Sequence, residues 1–158
     1  MSAPFPGERI ARAASEAHIR LAAPLFDAYR VFYRQPPDPG GSYRFLYERW
    51  VANESVLFIA FGENGAAIGF VHLYPLFLSD RMLRFWVLND LFVTPEHRRS
   101  GAARALMQRA ERHAAETGSA GLNLSTATDN VNAQALYESE GYVRDAEFVY
   151  YNKFLEPE

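Results

Sequence analysis

Hydrophobic positions change period along the chain, and each change marks an element. Ile10–Ala13 reads as a short strand. From Ser15 or Glu16 onward, Ile19, Ala22, Ala23 and Phe26 recur at helical spacing, with Pro24 as an interruption. That stretch is one kinked helix or two shorter ones. Residues 35–41 hold three prolines and two glycines and read as a loop. Phe45, Leu46, Trp50 and Val51 place a further helix after Ser42. The pattern then turns β-rich in Val56–Phe61 and Ala67–Leu76, joined by the hairpin signal Gly62-Glu63-Asn64-Gly65. Met82–Val93 is a third long strand, ending at Thr94-Pro95.

From Gly101 to Thr117 the period is helical again. Ala103, Leu106, Met107, Ala110 and Ala114 make one apolar stripe, and Gly118 is a stop. Gly121–Thr126 is expected as a short central strand and Asn132–Ser139 as a short helix ended by Gly141. Tyr142–Asp145 and Phe148–Leu155 are expected as two final strands. This order of elements predicts an α/β class (mixed α+β), a mixed sheet with helices on its faces. The expectation is a single domain over residues 1–158, its core spanning about 9–155. No internal repeat, low-complexity run or long linker divides the chain.

Composition narrows the chemistry. At 158 residues and 49% hydrophobic, the chain can build a core without staples. It has no cysteine, which removes disulfides, Cys-ligated zinc, iron–sulfur clusters and a cysteine nucleophile together. Its four histidines show no ligand spacing, so no metal is expected. A net charge of -3 is not the basic footprint of a nucleic-acid binder. No stretch has the apolar length that crosses a bilayer, and the start MSAPFPGERI lacks the apolar core of a secretory signal. Neither nucleic acid nor membrane is therefore expected as a partner, and the expected location is cytoplasmic.

Candidate chemistry begins where the third strand meets the long helix. Arg98-Arg99-Ser100-Gly101-Ala102-Ala103 lies between them. The first N–H groups of a helix have no intrahelical partners, and the helix dipole favours an anion there. Gly101 and two alanines let a large ligand approach, and arginines can fork onto phosphate oxygens. A P-loop is excluded because Gly-Lys-Ser/Thr is missing. A dinucleotide fingerprint is excluded because only one of its glycines is present.

This stretch resembles the GNAT superfamily of acyl-CoA N-acyltransferases, whose signature is Arg/Gln-x-x-Gly-x-Gly/Ala after a strand. Asn89-Asp90-Leu91-Phe92-Val93-Thr94-Pro95-Glu96 before it is similar to the family as well. So is Asn130-Val131-Asn132-Ala133-Gln134-Ala135-Leu136-Tyr137 with Gly141-Tyr142. The resemblance covers almost the whole chain. It implies a central, mixed, mostly antiparallel sheet flanked by helices, and acetyl-CoA as the acyl donor. Arg98–Ala103 would cradle the diphosphate. Backbone N–H groups of Leu91, Phe92 and Val93 would hold the pantetheine arm, and Asn130 would contact the same arm or the diphosphate. Tyr137 would protonate the departing thiolate.

The amine needs a proton acceptor, since a primary alkyl amine is charged at neutral pH. Candidates are Asn89, Asp90, His72, Tyr74 and Glu48, with Asp90 foremost as base or amine anchor. Relatives that acetylate polyamines carry two acids here, whereas this chain has Asn89-Asp90. Strict alternation puts Asn89 on the face of Val87 and Leu91, and Asp90 on the face of Leu88 and Phe92. A bulge would reset that order.

The acceptor pocket of this family lies between the first strand and the hairpin, and in the last strands. Here those are about residues 29–50 and 145–150. Tyr29, Phe32, Tyr33, Tyr43, Phe45, Tyr47 and Trp50 stand there, either as pocket walls or as core. Glu48 and Asp27 are either ammonium anchors or helix surface charges. The 35–41 loop would form a rim. A small-molecule amine is the expected partner, with a protein N-terminus or lysine, or noncatalytic acyl-CoA binding, as alternatives. Homodimerisation is expected, with pairing through Phe148–Leu155.

Overall fold

The structure is a computed structural model that describes residues 4–156. The chain divides into two compact units, the first reaching Ser125 and the second running from Thr126.

In the first unit the elements are β1 (Ile10–Arg12), α1 (Glu16–Phe32), α2 (Pro39–Val51), β2 (Val56–Phe61), β3 (Ala67–Leu78), β4 (Leu83–Val93), α3 (Ala102–Glu116) and β5 (Leu122–Asn123). The strands form one sheet in sequence order. All neighbours are antiparallel except β4 and β5, which the α3 crossover makes parallel. The expected mixed, mostly antiparallel sheet with flanking helices is therefore present.

Each face of the sheet receives a different helix layer. Ile19, Ala22, Ala23, Leu25 and Phe26 of α1 and Leu46 of α2 pack with Leu57, Ile59, Phe70 and Phe92. On the other face α3 buries Leu106, Met107, Ala110 and Ala114. There the His113 ring lies 5.6 Å from Phe58 and 4.9 Å from Trp86.

Pro24 leaves α1 as one helix. It faces solvent, so the carbonyl it deprives of a partner can be hydrated. The second helix starts earlier than the proline and glycine content suggests. Asp38 is its N-cap, its side chain accepting from the Gly41 N–H at 2.9 Å, and Pro39 occupies the first turn. Proline is favourable there because that N–H has no helical partner. A Cβ on Gly41 would meet the Asp38 carboxylate and force it to turn aside from its capping position.

Asp27 ties this helix start to α1. Its Oδ1 accepts from the Asp38 N–H at 2.9 Å, the Ser42 hydroxyl at 2.8 Å and Arg30 at 3.1 Å. It is a buried clamp and not an exposed acid.

In the second unit α4 spans Val131–Ser139, with Asn130 as N-cap. The two strands expected over 142–145 and 148–155 do not form. The Asp145 carboxylate accepts from the N–H groups of Glu147 (2.8 Å) and Phe148 (3.0 Å). Those donors close a local turn, where a strand would offer them to a ladder. These two bonds also hold the Asp145 carboxyl below its usual range.

Candidate active site

The site is built around the far half of β4. Its parallel ladder with β5 ends at Val87 and Asn123, while β4 continues to Val93 with β3 as its ladder partner. Among the described residues no strand pairs with the outer edge beside Leu91–Val93, an edge of the kind that takes a peptide-like arm.

An irregularity in the β3–β4 register decides which way Asp90 points. Leu73 pairs with Leu88 and His72 pairs with Asp90, so Asn89 is an extra residue, a bulge. Paired residues share a sheet face, and strand neighbours face opposite sides. Asp90 therefore shares the α1–α2 face with His72, Tyr74, Val87 and Phe92, opposite Leu88. Strict alternation would have put it with Leu88.

At that position the Asp90 carboxylate is buried, 4% exposed. Oδ2 lies 3.0 Å from Nδ1 of His72, itself 1% exposed, and Oδ1 accepts from the Asn89 side-chain amide at 2.9 Å. A carboxylate only accepts, so Nδ1 carries the proton when Asp90 is ionised. The Tyr29 hydroxyl completes the group. Burial, the Asp90 charge and a hydrogen bond to Asp90 push it well above the ordinary phenol range. Tyr74 stacks edge-on to His72 at 4.8 Å and is pushed up to about 12 by burial and then by the Asp90 charge. Both phenols keep their protons at neutral pH and can donate but not ionise.

Beyond Val93 the chain makes a single 3-10 turn, Pro95–His97, and enters α3. Gly101 is the N-cap at φ 85°, a left-handed conformation suited to glycine, and the Ser100 hydroxyl accepts from the Ala102 N–H at 3.4 Å. The N-terminal arm runs past this point: a Cβ on Gly101 would lie 3.4 Å from the Phe5 nitrogen. Arg98 is partly spent on structure. Its Nε donates to the Val93 carbonyl at 3.3 Å and its guanidinium stands 5.5 Å from the Phe32 ring. Arg99, at φ 59°, is exposed. A helix start held by one long bond to Ser100, small residues at Ala102 and Ala103, and an exposed arginine fit a diphosphate.

The structure thus joins Asp90, Leu91–Val93 and Arg98–Ala103 along one continuous stretch and adds His72, Tyr29 and Tyr74. Glu48 is not among them; it lies 3.6 Å from Arg49 on α2. The aromatic segment is divided: Tyr29, Tyr43, Tyr47 and Trp50 are partly buried against the α1–α2 cluster, whereas Phe32, Tyr33 and Phe45 are exposed. Asn130 and Tyr137 belong to the second unit. Asn130 caps α4, accepting from the Ala133 N–H at 3.2 Å, and its amide donates to Thr126. The Tyr137 ring is 6.3 Å from that of Tyr142. The pairing of His72 with Asp90 had no sequence signal. It depends on strand register and on a one-residue bulge.

Residues 22–142 match the model of the Acetyltransferase (GNAT) family. The chain belongs to this family. It is 45% identical over 140 residues to an uncharacterized N-acetyltransferase, YhfO, of Bacillus subtilis, covering 89% of this chain and 93% of that one. It is 36% identical over 129 residues to a probable acetyltransferase of Haemophilus influenzae, covering 82% and 86%. A crystal structure of a probable acetyltransferase superposes with a TM-score of 0.88 at 40% identity, covering 95% of this chain and 99% of that one. Acyl-CoA-dependent transfer to an amine is the activity of this GNAT chain in general terms.

Proposed function

We propose that the chain transfers acetyl from acetyl-CoA to a primary amine of a small molecule, by direct attack in a ternary complex. The observation that carries this reading is the bulge at Asn89. It turns a carboxylate onto the aromatic α1–α2 face, beside the open edge of β4.

Acetyl-CoA, when bound, supplies the activated carbonyl and a thiol leaving group. Its diphosphate would be held by Arg99, Ser100 and the N–H groups of Gly101, Ala102 and Ala103, with Arg98 shaping the turn. Leu91, Phe92 and Val93 would offer backbone groups to the pantetheine arm. Asp90 accepts the amine's proton, directly or through one water, so that the neutral nitrogen can attack. Tyr29 and Tyr74 present rings and hydroxyls around that carboxylate, which suits a cationic head group on the acceptor. The motif positions of Asn130 and Tyr137 support roles in holding the arm and protonating the departing sulfur. A phenol retains its proton at neutral pH and can give it to a thiolate.

The test is thiol release from acetyl-CoA across polyamines, amino acids, aminoglycosides and peptides. A small amine turned over in preference to peptides is the expected result. Preference for a peptide overturns the acceptor class. Release no faster than background with every amine overturns catalysis in favour of noncatalytic acyl-CoA binding.

A further inference from the structure

Nothing in the acetyl-transfer reading requires His72, yet the fold buries a histidine against the candidate base and opens a cavity on its other side. Oδ2 of Asp90 is 3.0 Å from Nδ1 of His72. His72 also lines a cavity of about 40 Å³ beneath the end of α2. Its inner wall includes Trp50 and Leu57; towards solvent it is lined by Arg12, Asn53 and Ser55, of which Arg12 and Asn53 are exposed. A single water needs roughly 10–15 Å³, so a polar-rimmed space of this size admits water beside the ring.

We infer that His72 is a positioning residue for Asp90: its Nδ1–H fixes the bulged carboxylate and favours the ionised form that can accept a proton. This rests on the reading that Asp90 accepts the amine's proton. A buried carboxylate without donors is driven to its protonated form and is then useless as a base. Asn89, on the bulged residue itself, and the Tyr29 hydroxyl from α1 supply donors. His72 supplies a donor from the neighbouring strand and so locks the bulge to the sheet. The other titratable or charged groups facing this pair are Tyr29 from α1, Tyr74 from β3, Arg49 from α2 beside Tyr74, and Arg12 from β1 across the cavity. The two phenols stay protonated at neutral pH, and the arginines stay charged.

The cavity also makes the inference testable by chemical rescue. In His72→Ala the vacated ring volume joins a space that reaches the surface, so free imidazole can return to its place. Folding is first checked by thermal melt. Turnover is then measured by thiol release, using an amine that the wild type acetylates.

The expected result is a drop in kcat of about tenfold and an acid limb of the pH profile moved up by about one unit, as loss of one charge-assisted hydrogen bond implies. KM for acetyl-CoA should stay within about twofold, since uniform binding is untouched. Imidazole should restore kcat, and furan, a five-membered ring of similar shape without an N–H donor, should not. Equal effects of the two rings, or a lower kcat with an unmoved acid limb, overturn the inference.

If His72→Ala does not fold, His72→Asn and His72→Leu carry the comparison. Asparagine keeps a donor near Nδ1 and should hold the acid limb in place, whereas leucine should move it. Identical profiles overturn the inference. Asp90→Asn, measured in parallel, separates the two layers. Wild-type turnover in that variant removes the underlying reading. Lost turnover there, with no effect at His72, removes only this one.

Discussion

Asp27→Ala should unfold the protein much more easily than the loss of one side chain on a helix normally does. The carboxylate joins α1 to the start of α2 through the Asp38 N–H and the Ser42 hydroxyl, and Ser42 is 2% exposed. Hydrogen bonds to a charged group contribute about 1.5–3 kcal/mol each, and donors left buried without a partner cost their desolvation as well. Two such bonds amount to about 3–6 kcal/mol. Arg30, on the more exposed side, adds at most about 1 kcal/mol.

Burial alone would push the Asp27 carboxyl up. The Asp38 N–H, Ser42 and Arg30 outweigh it and hold the group below the usual carboxylate range. A depressed carboxyl stabilises the fold above the pH where the unfolded chain titrates, about 4. That stability is lost as pH falls through the folded value. Urea unfolding of wild type and Asp27→Ala at pH 7 should therefore show midpoints well apart with similar slopes. The gap should narrow below about pH 4. A difference under about 1 kcal/mol at pH 7, or a gap that persists in acid, refutes the clamp. Because Tyr29 sits two residues further along α1, turnover should fall with stability.

Other outcomes follow from single positions. Gly69→Ala should cost about 1–3 kcal/mol by overpacking, since a Cβ would lie 2.7 Å from the Phe92 carbonyl and 3.1 Å from Val93 Cγ2; an unchanged melting temperature would speak against this close approach of β3 to β4. Burial, then Arg12 and Arg109, hold His113 below the usual histidine range. Stability it contributes is full above about pH 6.5 and declines on acidification, by at most about 1.4 kcal/mol per pH unit. His113→Leu should flatten that decline in urea midpoints between pH 7.5 and 5.5. Arg99→Ala should weaken coenzyme A binding about fivefold or more in calorimetry, as loss of one exposed phosphate contact would. Tyr137→Phe should lower kcat and leave the coenzyme A Kd within about twofold; the reverse pattern removes its leaving-group role.

The sequence alone determined the local elements and the turn that leads from β4 into α3. Apolar spacing of 3.6 and 2.0 is a property of neighbouring residues, so α1, β2, β3, β4 and α3 were legible to within a few positions. The Arg98–Ala103 turn was equally legible, because a strand, a glycine and a helix start are contiguous. Even α2 carried its signal in Asp38-Pro39, an N-cap followed by a helix-compatible proline, although the proline content of 35–41 concealed it.

Tertiary structure decided everything that depends on which chain segments meet. The bulge at Asn89 exists only as a mismatch between β3 and β4, and a one-residue shift moves Asp90 from one face to the other. His72, eighteen positions earlier, becomes its partner only through that register. The final aromatic stretch shows the converse. Its β-propensity predicted two strands, but propensity supplies no ladder, and Asp145 draws the neighbouring N–H groups into a turn.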